Sequence, residues 1–174
     1  MLAAEIAASP SWTDKVTAIG TAAVAAGLLV TAIGAWFAFD QVREAWRDRH
    51  IQVISDFSER WDQPLMSEAR ELASSLSSED LAAAVAAWIA GPADPAVDVP
   101  KLLRVPNFFE DLAMMVECGR LEVSYIARSF GSSARGEWGY WEKAITTLRR
   151  EQEDVYVEFE KLVRDLERAA RPCT

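Results

Sequence analysis

Residues 16–39 read VTAIGTAAVAAGLLVTAIGAWFAF, twenty-four positions without a charge, bounded by Lys15 and Asp40. At 1.5 Å rise per residue a helix of that length covers about 36 Å, against roughly 30 Å of bilayer hydrocarbon. In lipid every backbone N–H and C=O must be satisfied inside the segment, which requires a helix. Trp12 before the run, and Trp36, Phe37 and Phe39 at its far end, suit the aromatic belts of the two interfaces. A cleavable signal peptide fits less well, because Glu5 and Asp14 precede the run and its apolar part is long. A buried core helix is the other alternative, since the run is rich in Ala. An uncharged helix of this length is, however, out of scale for a soluble chain of 174 residues. The expectation is one transmembrane helix over 16–39, with an extracytoplasmic N-terminus over 1–15.

Orientation follows from the basic residues at the two ends. Lys15 and the terminal amine stand before the run; Arg43, Arg47 and Arg49 follow it. The positive-inside rule puts the N-terminus outside and residues 40–174 in the cytoplasm. Two cysteines, Cys118 and Cys173, make no disulfide framework, in keeping with a reducing compartment. Within the run Gly20, Gly27 and Gly34 recur every seven residues and share one helical stripe with Ala23, Thr31 and Ala38. Small residues let backbones approach closely in lipid, so this stripe is a candidate packing face for a membrane partner or a second copy.

No Gly or Pro interrupts residues 40–62, so the helix is expected to continue as a cytoplasmic extension and to stop before Pro64. Val42, Trp46, His50, Val53, Phe57 and Trp61 form an apolar seam along it, suited to packing on another helix. His50, the single histidine, reads as a packed structural residue. A helical domain over 63–170 and a tail over 171–174 complete the chain. Its helices are expected at about 65–76, 79–90, 107–118, 122–130, 134–151 and 154–170, with Ser77 or Ser78 capping the second. Gly91 should end that helix, and the proline-studded residues 91–100 read as a loop. No stretch alternates as a strand. The fold class is all-α.

The most distinctive stretch is NFFEDLAMMVECGRL, residues 107–121. Asn107 is placed to cap the helix, Glu110 to complete a capping-box-like pair, and Gly119 to take a left-handed C-cap closed by Leu121. With WGYWE at 138–142 and FEKL at 159–162, this stretch resembles the family catalogued as domain of unknown function 4760 over roughly residues 40–165. The resemblance implies a small bacterial or phage protein with an N-terminal membrane helix and a helical cytoplasmic part, placed here in the inner membrane. It implies no activity, substrate or catalytic residue.

Composition narrows the chemistry further. A formal net charge of −9 argues against a nucleic-acid partner, which needs clustered Lys and Arg. One histidine and two cysteines exclude the usual zinc sets, and no cofactor motif is present. GSSARG at 131–136 lacks the Lys and Ser/Thr of a phosphate loop, and its glycines read as separators of helices. Cys118, beside Glu117 at a helix end, reads as a small apolar residue rather than a nucleophile. Glu110, Asp111 and Glu117 share one helix and read as a cap and a solvated face rather than an acid–base pair or metal ligands. Arg149, Arg150, Arg164 and Arg168 alternate with acids as exposed ion pairs. The expectation is a non-enzymatic, membrane-anchored interaction protein, an accessory subunit or scaffold of a membrane complex. A membrane-tethered carboxylate-dependent hydrolase or metal enzyme, and a phage or defence effector, are the alternatives.

Overall fold

The computed structural model describes residues 12–91 and 97–170; within the first helix the side chains of residues 13–26, 29 and 30 fall outside that description. Among the described residues all regular structure is helical and there is no strand, so the chain is all-α. Helix α1 runs Trp12–Asp62. It ends where Gln63, pushed out of helical geometry by the proline that follows, takes φ −61° and ψ 145°. Pro64 then opens α2, Pro64–Ser74, at the first-turn position where its missing N–H is no loss.

Helix α3, Ser78–Ala90, starts on a capping box: Asp80 N–H donates to the Ser77 hydroxyl, and the Asp80 carboxylate accepts from Ser77 N–H. Gly91, at φ 134°, stops it. A one-turn helix α4, Val99–Leu102, follows; Asp98 caps it by accepting from Lys101 N–H at 3.0 Å. Residues 97–100 at the end of the expected loop are thus partly ordered as a helical turn. Helices α5 (Arg104–Glu117), α6 (Val123–Ser129), α7 (Gly131–Leu148) and α8 (Val157–Ala170) complete the chain.

The chain divides into two compact units between Arg47 and Asp48, inside α1. Residues 48–62, read from the sequence as part of a helical extension, group with the helical domain because their aromatic side chains enter its core. Phe57 meets Phe108 at 5.5 Å, and Trp61 meets Phe108 at 4.8 Å and Phe109 at 5.2 Å, centroid to centroid. Elsewhere in that unit α3 packs on α7, and α5, α6 and α7 pack on α8. Phe159 on α8 is stacked on Phe109 at 5.0 Å and met edge-on by Trp138 at 5.2 Å. Phe108, Phe109, Trp141 and Phe159 are fully buried. Each such side chain contributes about 1.5–3 kcal/mol by burial, with about 0.5–1.5 kcal/mol more for a favourable ring pair. The short connection between α6 and α7 turns on Phe130, which is buried and bonded at both ends: its N–H donates to Ile126 C=O and its C=O accepts from Ala134 N–H, each at 2.8 Å.

Candidate functional site

The first unit carries a run of exposed large apolar side chains. Leu28, Ile33, Trp36, Phe37, Phe39 and Val42 on α1 are each more than half exposed. Of the expected packing face, Gly20 and Ala23 lie outside the described side chains, while Gly27, Thr31, Gly34 and Ala38 are exposed on the helix. A Cβ built at Gly27 or at Gly34 meets nothing within 4 Å. The Thr31 hydroxyl donates to Gly27 C=O at 2.9 Å, so that polar group is satisfied inside the helix. Among the described residues no helix is long and apolar enough to cross a membrane. Most of the first half of the uncharged run, residues 16–26, lies outside the described side chains.

The seam along α1 splits. His50 and Phe57 are buried and Val53 and Trp61 partly so, because α5 and α6 supply rings against them; His50 lies 5.0 Å from the Tyr125 ring. Val42 and Trp46, in the first unit, remain 55% and 50% exposed, so the seam is not one continuous buried stripe.

Asn107 does not cap its helix. Pro106 is tolerated in the first helical turn, so α5 begins at Arg104 and Asn107 N–H already donates to Leu103 C=O at 3.1 Å. The Asn107 side chain instead accepts from the Tyr156 hydroxyl at 2.7 Å. Glu110, expected to reach back to Asn107, serves the other end of the domain. Its carboxylate accepts from Phe159 N–H at 2.7 Å and more weakly from Glu158 N–H at 3.4 Å, capping the first turn of α8. Burial pushes the Glu110 carboxyl above its ordinary range, against the pull of those two N–H donors. Burial likewise raises the Tyr156 hydroxyl, with the Glu110 charge adding to it, so Tyr156 is held neutral as a donor.

Arg149 locks the same corner. Its guanidinium donates to Val155 C=O at 2.8 Å, Tyr156 C=O at 3.1 Å and the Glu160 carboxylate at 2.7 Å. These bonds hold Tyr156 at φ 57°, a left-handed conformation a bulky residue rarely adopts. By its spacing among acidic residues Arg149 reads as part of an exposed charged face. Its partners lie in a turn with no periodic signature, so spacing alone does not single it out.

Gly119 takes φ 65°, with its N–H on Val116 C=O and Arg120 N–H on Met115 C=O, both at 2.9 Å; Leu121 beyond it is buried. Cys118, the C-cap of α5, is exposed. Gly131 starts α7 and Gly136 lies within it, so only the first of that pair separates helices.

The three acidic residues of α5 serve three different partners: Glu110 the α8 terminus, Asp111 the Arg60 guanidinium at 2.7 Å, and Glu117 the Lys161 ammonium. They do not converge. Among the described residues no group of three His, Cys, Asp or Glu side chains is placed to hold a metal ion.

A family model described as domain of unknown function (DUF4760) matches residues 21–166. The chain belongs to this family. The match takes in most of α1 and all of α2 to α7, so the exposed apolar stretch of α1 and the Asn107–Glu110 corner both fall inside the family's span. No curated protein and no solved structure matches the chain.

Proposed function

We propose that this DUF4760 protein is a membrane-anchored, non-enzymatic interaction protein, an accessory subunit or scaffold of a bacterial inner-membrane complex, with the N-terminus outside and the helical domain in the cytoplasm. The observation that carries the reading is the exposed apolar length of α1: six large side chains between Leu28 and Val42, each more than half exposed, on a helix uncharged from Val16 to Phe39. Water does not tolerate such a surface uncovered, whereas lipid or another apolar helix does. The open flank at Gly27 and Gly34, and a Thr31 hydroxyl satisfied within its own helix, suit close approach of a second helix in a low-dielectric medium. Structural duties occupy the acidic side chains of α5, which supports binding over catalysis.

Gly27→Leu tests the association half of the proposal. It keeps the segment apolar but fills the flank where backbones would meet, so recovery of companion proteins, or of a second tagged copy, should fall sharply. Leu28→Ala, at a large exposed side chain, should leave recovery near wild type. Equal recovery with all three chains at matched expression would reduce α1 to a plain tether.

A further inference from the structure

We infer that a cleft in the helical domain, lined by Arg60, Gln63, Leu65, Met66, Arg104 and Asn107, is a binding site for a small oxyanion: the phosphoryl or carboxylate group of a ligand. The chain as a whole carries a net charge of −9, yet two guanidiniums and two carboxamides line this cleft and no carboxylate does. Guanidinium N–H groups form paired, charge-assisted bonds with planar or tetrahedral oxyanions.

Two of the donors, Arg60 and Asn107, are held in place by neighbours. Arg60 is fixed on one side by Asp111 at 2.7 Å and lies 5.7 Å from the centroid of the Phe108 ring. One carboxylate does not exhaust a guanidinium's five donors, and an anchored side chain loses little more freedom on binding. Asn107 is oriented by the Tyr156 hydroxyl, which occupies its Oδ1; what Asn107 has left to offer is its amide, a donor. Gln63 makes no side-chain bond to its own helix, leaving its amide available. Arg104 supplies the second charge; the carboxylate it influences, Glu68, is bonded to Lys101 at 2.7 Å. Leu65 and Met66 give the cleft an apolar wall.

The cleft measures about 210 Å³, room for a group of several heavy atoms and short of what a whole drug-sized ligand fills. The site therefore takes a small anion, or the charged head of a larger molecule such as an anionic lipid.

Calorimetric titration of the full chain in neutral detergent tests this, with inorganic pyrophosphate, citrate and dihexanoyl phosphatidic acid as probes. Saturable one-site binding of at least one probe is expected, weakened about ten-fold or more by Arg104→Gln through loss of a charge-assisted bond. Leu65→Glu, at a position 55% exposed and so outside the core, should abolish it by placing a like charge on the wall. Arg128→Gln, an exposed arginine on α6 away from the cleft, should leave it unchanged. Binding of the lipid probe alone, lost in Arg104→Gln, assigns the site to a headgroup; binding of pyrophosphate or citrate assigns it to a soluble anion. No binding of any probe tighter than about 1 mM, or equal weakening by Arg104→Gln and Arg128→Gln, overturns the inference.

Discussion

At Glu110 one carboxylate closes the first turn of α8 from a helix 48 or 49 residues earlier in the chain. Burial holds its folded-state value above the ordinary 4.5, so the folded protein binds more protons than the unfolded one just above that pH. Stability from this group therefore falls as pH rises through the window above 4.5. Glu110→Gln keeps an acceptor for Phe159 N–H but cannot titrate, and denaturant titrations across that window should show the downward slope flattened. Its neighbour Asn107 gives a second expectation. Asn107→Ala and Tyr156→Phe should each cost about 1 kcal/mol, the worth of one partly buried neutral hydrogen bond. The double variant should cost much less than their sum, since both remove the same bond; strict additivity in urea melts would show that the Asn107–Tyr156 contact contributes nothing.

Helix ends decide how much of the architecture can be read before the structure. Where a terminus is closed by residues next to it in sequence, the reading succeeds: Ser77 with Asp80 at the start of α3, Gly91 at its end, and Gly119 with Leu121 after α5. Gly119→Ala should accordingly cost about 1 kcal/mol in thermal or chemical unfolding, because a Cβ is disfavoured at φ 65°. A wild-type melting point would mean the chain can end α5 another way. Where a terminus is closed from a distance, sequence reading fails. Nothing local in NFFED says that Glu110 answers to Phe159 or that Asn107 answers to Tyr156, and Pro106 looks like a barrier until its first-turn position is known. The one-turn α4 is shorter than any window in which periodicity can speak. The oxyanion cleft is equally hidden: its six lining residues come from two separate stretches, 60–66 and 104–107, and only Asn107 belongs to a distinctive stretch, where it reads as a helix cap.

The whole molecule combines a helical domain with an aromatic core and, on the N-terminal part of α1, large apolar side chains left exposed. Within the domain the rings of Phe57, Trp61, Phe108, Phe109, Phe130 and Phe159 meet one another. Trp36, Phe37 and Phe39 stay exposed on α1, where a membrane would cover them. The topology of an inserted α1 follows from Arg43, Arg47 and Arg49, and Cys118, exposed at the end of α5, reports on it. In a chain carrying Cys173→Ser, a membrane-impermeant maleimide should label Cys118 only after the cells are opened; labelling in intact spheroplasts would reverse the orientation.

Alkaline carbonate extraction of membranes from cells expressing the untagged full chain separates insertion through α1 from peripheral attachment. A chain inserted through α1 is held by hydrocarbon burial rather than by ionic contact, so it should stay in the membrane pellet after carbonate washing and be released only by detergent. Recovery of the chain in the carbonate supernatant, alongside peripheral proteins, would contradict insertion and require the exposed face of α1 to be covered by protein instead.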